Sequence, residues 1–454
     1  MCSLKVDPLT GKQCLAYTIS LNRIKNDYDG QWQGITVASD GACYFASSTH
    51  SYLHGAGFFR FDPVSKRLMV LAEDMTTVCG EDVAKTPPQG KIHSPIVEFD
   101  GWLYFSTHLS NYWDEAMNIY PGAHLLGYEI ATRRFRDFGI IRSRFSLYSA
   151  VGIDTLRNKL YVFAVPFAAE DVKKDACHLY QIDILSGEKR DFGKVVKGTT
   201  GSYWFFIDEK GDCWFTFWQW EDRHFKAGGH GNLFRGVAET GTIERFDGVL
   251  PESRLIPDGE LAPPDQQETR CWSWAAALPG NRQCLFTMGK FSGEDERLWL
   301  FDPRKNIKTG EAFQALGFIG STFFATALGN NRVYFVQRGN LITERGWIPE
   351  LEQEKDPDTV PPEDLHLKSV SLDPKTKWNV FDHGKIVDQD GRAPRYIDSM
   401  AADQKGRVYM VGAWHLFPGE QGSLQLQWQQ PNREFRPMKR GQFFAFADVS
   451  KDLG

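Results

Sequence analysis

Residues 96 to 105 read IVEFDGWLYF: two short apolar runs hinged on Asp100-Gly101. Asp-Gly between β-branched and aromatic residues signals a tight hairpin, because both central residues of such a turn need positive φ. Six more stretches repeat the pattern. They are Ile35 to Phe45 (ITVASDGACYF), Val151 to Phe163 (VGIDTLRNKLYVF) and Trp204 to Phe215 (WFFIDEKGDCWF), then Trp274 to Phe286 (WAAALPGNRQCLF), Phe324 to Phe335 (FATALGNNRVYF) and Ser399 to Val411 (SMAADQKGRVYMV). The bends fall at Gly41, Gly101, Asn158, Gly211, Asn281, Asn330 and Gly406, roughly 50 to 75 residues apart, a little longer than a minimal propeller blade. Each hairpin is followed by a second strand–turn–strand signature, as in Phe58 to Leu71, Leu125 to Phe138 and Leu179 to Phe192, and later in Leu233 to Phe246, Leu298 to Leu316 and Leu367 to Phe381. Four strands per repeat and seven repeats predict an all-β chain, a seven-bladed β-propeller of four-stranded blades.

The last repeat ends differently. Only one strand, Phe443 to Val449, follows its hairpin, and Leu15 to Leu21 (LAYTISL) stands before the first hairpin. An N-terminal strand that completes the seventh blade closes the ring and hides two sheet edges. The expectation is one propeller domain over residues 1–454, with surface insertions near 251–268, 343–364 and 418–440.

Net charge of −6 gives no reason to expect nucleic acid, which asks for a basic face. An anionic substrate is still accommodated by a local group of Arg and His. There is no apolar run of about 18 residues, so no membrane span is expected. The N-terminus shows no apolar signal segment, so the location is left open, cytoplasmic unless a leader has been removed; a monomer is expected. The eight cysteines have no zinc-type spacing, and Cys43, Cys213 and Cys284 fall at matching places in different blades. They read as small core residues in a reducing compartment.

In a propeller, the start of each inner strand and the loop after each second strand share one face. The aligned positions before the hairpins are Gln33, His93, Tyr148, Tyr203, Arg270 with Trp272, Thr322, and Arg395 with Tyr396. Those after them include His50, His54, His108, the stretch Trp218 to His230, and Trp414 with His415. Such polar and aromatic residues on loops over a rigid scaffold are the pattern of a binding or catalytic face. The second repeat is densest: His93, His108 and His124 bracket one hairpin and its outgoing loop, which carries Tyr112, Trp113 and Tyr120.

Two chemistries suit this set. Histidines could hold a transition metal, although no His-x-His pair occurs. Alternatively, a base and an acid could act on a uronic acid while a cation neutralises its carboxylate. His93, His108, His124, Tyr148, Arg270 and Arg395 contain every part of the second, with no cofactor and room only for a structural ion. Tyr203, Trp272, Tyr396 and Trp113 would then line the sugar.

GKIHSPIVEFDGWLYFSTH, followed by PGAHLLGYEIATRRFRDFG (Gly90 to Gly139), resembles the second blade of propeller-fold polysaccharide lyases, the ulvan lyases and the rhamnose–glucuronate lyases. The resemblance implies metal-independent β-elimination next to glucuronate in an anionic polysaccharide or oligosaccharide. It implies His108 and His124 as a catalytic pair and Tyr148 as the nearest candidate for the catalytic tyrosine. The arginine that the family places in the third blade is missing, since Tyr161 to Tyr180 contains none. That role falls to Arg270 or Arg395. The alternatives are a non-catalytic carbohydrate-binding propeller using Trp113, Trp218, Trp220, Trp272 and Trp414, and a metal-dependent hydrolase or lactonase.

Overall fold

A computed structural model describes residues 11–197, 199–220, 232–251, 271–289, 297–318, 321–338, 365–373, 378–426, 435–438 and 440–453. All seven predicted bend residues have positive φ. Asp100 and Gly101 (φ 50 and 76) sit between the paired residues Phe99 and Trp102, and Asn330 and Asn331 (φ 48 and 54) between Gly329 and Arg332. Two left-handed residues in a row match the right-handed twist of the flanking strands. Asn, Asp and Gly tolerate that region best.

The chain divides into two compact units, one of Met1–Ile92, Phe291–Glu294 and Phe318–Gly454, the other of His93–Lys290 and Asp295–Gly317. Both are all-β. The second unit holds four antiparallel four-stranded sheets in chain order. The first of these is Val97–Phe99, Trp102–Ser106, His124–Glu129 and Arg134–Ile140. The next is Phe145–Asp154, Lys159–Pro166, Ala176–Asp183 and Lys189–Lys197. The remaining two begin at Phe205–Ile207 and at Cys271–Ala277. Leu125, Leu147, Val151, Leu160, Val162 and Ile182 form one buried cluster across the first two sheets. Each such side chain contributes about 1.5–3 kcal/mol on burial.

The other unit holds one four-stranded sheet, beginning at Ile35–Val37, and one sheet of eight strands. Here the count of seven separate blades is corrected to five four-stranded blades and an eight-stranded sheet. The cause is the N-terminal strand Gln13–Ser20. Its second half, Tyr17 to Ser20, pairs antiparallel with Arg440–Asp448, the last strand of the chain. Its first half, Gln13 to Ala16, pairs parallel with Val380–Asp388. One strand thereby fuses the sixth and seventh repeats.

Among the predicted insertions, 252–268 and 343–364 lie outside the described residues. The third carries a short antiparallel ladder, Leu424–Leu426 against Phe435–Pro437, rather than bare loop. The seven described cysteines are free thiols; burial raises Cys43, Cys213 and Cys284 well above the usual thiol range, as suits core residues. No described helix is long and apolar enough to cross a membrane.

Candidate functional site

The second unit brings four of the predicted residues together: His93, His108, Tyr148 and Tyr203. His93 precedes the strand Val97–Phe99, and His108 lies two residues past the end of Trp102–Ser106. Tyr148 sits in Phe145–Asp154, where the ladder slips between Leu147 and Val151 and the pleat is re-aimed. Tyr203 stands two residues before the next sheet starts. The His108 and Tyr148 ring centroids are 4.6 Å apart, and His93 lies 5.3 Å from each. Tyr203 follows at 6.2 Å from Tyr148. All four side chains are buried.

His108 is held from both sides. Its Nδ1 meets the Ser146 hydroxyl, and its Nε2 lies 2.7 Å from the Tyr112 hydroxyl. Ser146 and Tyr148 are two apart on one strand and so share a face. Phe167 packs 5.2 Å from His108 and stacks on Tyr112 at 5.4 Å with an 18° tilt.

Burial raises the Tyr148 phenol far above its usual range, and the neighbouring Tyr203 offsets part of that shift. Tyr203 and Tyr112 are pushed up for the same reason. Besides burial, the groups acting on Tyr148 among the described residues are Tyr203 and Cys271. A phenol so placed keeps its proton and can give it away.

His124 has a different setting. Its Nδ1 meets Asp137 at 2.8 Å, and the other oxygen of Asp137 accepts from Gly139 N–H at 2.7 Å. The same unit recurs twice. His178 meets Asp191 at 2.9 Å, with Gly193 N–H on that carboxylate at 2.7 Å. His366 meets Asp382 at 3.1 Å, with Gly384 N–H at 2.9 Å. Each lies between the third and fourth strands of its repeat, next to a slip in the register. In the Phe205–Ile207 sheet, Asn232 takes the histidine's place and accepts from Gly248 N–H at 3.0 Å. His124 is thus one copy of a repeated clasp over a β-bulge.

The remaining predicted residues scatter. Trp272 has no exposed surface and packs on Phe286 and Phe301, so it is a core residue and not a sugar platform. Trp414 is equally buried, in the core of the other unit. Trp113 is half-buried and precedes the short helix Asp114–Ile119. Arg395 and Tyr396 belong to the other unit, where Tyr396 lies 4.8 Å beneath the Arg440 guanidinium. Arg270 lies outside the described residues.

Sequence reasoning missed Ser146 and Phe167, which carry no motif and gain meaning only beside His108. It also passed over Lys91, inside the quoted GKIH. Lys91 is fully buried, and burial lowers its ammonium to about 7 although Asp29 works against the shift. Asp29 itself meets His50 at 3.0 Å.

No family model matches the chain, and no curated protein matches it. Solved structures do. The oligogalacturonate lyase of Vibrio parahaemolyticus is 11% identical over 100% of both chains, with a TM-score of 0.47. An oligogalacturonate lyase in complex with manganese is 11% identical over 98% of both, with a TM-score of 0.46. The periplasmic gluconolactonase of Pseudomonas aeruginosa is 12% identical over 69% of this chain and 83% of its own, with a TM-score of 0.36. Likeness of this degree assigns no activity, since one scaffold hosts many.

One expectation is corrected by these matches. A neighbour that holds manganese removes the ground for expecting a reaction without any metal. Among the described residues, no group of three or more His, Cys, Asp or Glu side chains is placed to hold an ion. His93 and His108 supply two imidazoles, and the phenols around them are held protonated by burial. The described residues therefore do not fit a metal centre, and no step is routed through one.

Proposed function

We propose that the chain is a lyase acting next to a uronic acid in an anionic oligosaccharide or polysaccharide, by β-elimination at the His93–His108–Tyr148–Tyr203 cluster. The supporting observation is the mutual approach of His93, His108 and Tyr148 within 4.6 to 5.3 Å in a buried setting. In this reading Ser146 accepts from Nδ1–H of His108, which leaves Nε2 as the base. Nε2 takes the proton from C5 of the uronate, the C4–C5 double bond forms, and the C4–O4 bond breaks. Tyr148 gives its proton to the departing O4, and Tyr203 donates to the phenolate that remains. His93 faces the uronate carboxylate as a hydrogen-bond donor. His124 moves out of the catalytic set and into the bulge clasp.

The binding-module reading loses two of its five tryptophans to the core, Trp272 and Trp414.

The test is the rise in ultraviolet absorbance from an unsaturated uronate product. Oligogalacturonate and glucuronate glycans such as ulvan and gum arabic are each supplied, with added manganese and with chelator. Product that disappears in His108→Gln supports the assignment. No product from any of these glycans in either condition overturns it.

A further inference from the structure

In the cluster just described, His108 has no nitrogen to spare. Nδ1 is occupied by Ser146, and Nε2 by the Tyr112 hydroxyl at 2.7 Å. An imidazole bonded at both nitrogens cannot take a proton from a substrate until one partner leaves. The two partners are not equivalent. Ser146 is fully buried on the strand Phe145–Asp154. Tyr112 stands on the loop between Trp102–Ser106 and His124–Glu129, two residues ahead of the helix Asp114–Ile119.

A second loop repeats the design. Phe167 follows the strand Lys159–Pro166 and stands two residues ahead of the helix Ala169–Lys174. Its ring lies 18° from parallel to Tyr112 and also covers His108 at 5.2 Å and Tyr148 at 6.0 Å. Two loops, each an aromatic residue followed by a short helix, thus form a stacked roof over the proposed base.

We infer that the Tyr112 hydroxyl holds the place of a substrate group at His108 Nε2, so that productive binding displaces the Tyr112–Phe167 roof. Ser146 remains and fixes the tautomer. The stack couples the two loops, and loop motions of this kind commonly gate active sites. The inference rests on His108 being the base. It adds that the resting site is self-occupied, and that a bound sugar pays for opening the roof out of its own contacts.

Two measurements test it. The first needs no substrate: diethyl pyrocarbonate modification of His108, followed by peptide mass, in the native chain, Tyr112→Phe and Tyr112→Ala. Modification several-fold faster in the variants is expected. Equal rates in all three overturn the roof, whatever the protein's activity. The second uses the glycan that is turned over: Tyr112→Phe is expected to lower KM several-fold while keeping kcat within an order of magnitude. A hundredfold loss of kcat at unchanged KM would show instead that Tyr112 takes part in the chemistry, and overturns its role as a placeholder. If no glycan is cleaved, the lyase reading fails and the first measurement still decides the roof.

Discussion

Burial assigns the roles of individual residues more sharply than residue type does. Tyr148 and His108 both bear exchangeable protons, yet burial holds the phenol protonated while Ser146 aligns the imidazole. Tyr148→Phe is therefore expected to lower kcat about 10²–10⁴-fold with KM little changed. Full activity in that variant would remove Tyr148 as the acid. Another suggestive arrangement lies in the other unit. Asp452 meets His383 Nδ1 at 3.1 Å, His383 Nε2 meets the Ser369 hydroxyl at 2.9 Å, and Arg332 donates to that hydroxyl at 2.9 Å. The connectivity is that of a nucleophile, a base and an orienting acid. Neither His383 nor Ser369 has any exposed surface, and Asp452 ties the His383 ring to the end of the described chain. They act as a clamp on the final turn, Ser450–Leu453. Burial lowers His383 to about 4, although Asp452 pulls the other way. The unfolded chain binds this proton near the ordinary value of 6.5, so stability is full above about 6.5 and falls as pH drops towards 4. The loss amounts to about 3 kcal/mol. Urea unfolding between pH 7.5 and 4.5 should show it, and His383→Gln should flatten the slope by about one proton.

At the scale of the element, the bulge clasp decides what His124 does. Three copies with one geometry, one in each of three repeats, point to the strand pair and not to chemistry. His124→Ala and His178→Ala should then cost similar stability, about 1–3 kcal/mol each for a lost charged hydrogen bond and an exposed bulge. Activity per folded molecule should persist in both. A variant at His124 that folds normally but is inactive, beside an active His178→Ala, would restore His124 to the catalytic set. The signal was present in the sequence. HLLGYEIATRRFRDFG, HLYQIDILSGEKRDFG and HLKSVSLDPKTKWNVFDHG each open on His-Leu and close on Asp-x-Gly. Aligned from the leucine, as hydrophobic periodicity invites, the repeat hides the histidine one position earlier. The hairpin bends were legible because positive φ narrows the choice to Gly, Asn and Asp. Ser146 and Phe167 were not, because their roles depend on a ring brought from another sheet.

At the scale of the whole molecule, the repeat predicted strand order well and sheet boundaries less well. Hydrophobic alternation marks where a strand lies, but it does not say how many neighbours a strand accepts. Gln13–Ser20 accepts two, changing partner between Ala16 and Tyr17. Its core residues are Cys14 and Ala16, small side chains, packed with Leu367, Ile386 and Phe443. Beside the packing of Tyr17 and Ile19, the strand contributes backbone pairing along two edges that would otherwise lie open. Removing residues 11 to 20 is expected to destabilise the unit built on the eight-stranded sheet and to promote association through the exposed edges. The His93–Tyr148 cluster lies in the other unit, so its ring contacts should survive. Native-state amide exchange separates the two effects. Protection should fall along Val380–Asp388 and Arg440–Asp448 and be retained along Phe145–Asp154. Loss of protection spread evenly over both units would mean that the N-terminal strand supports the whole chain, and that the two units fold as one.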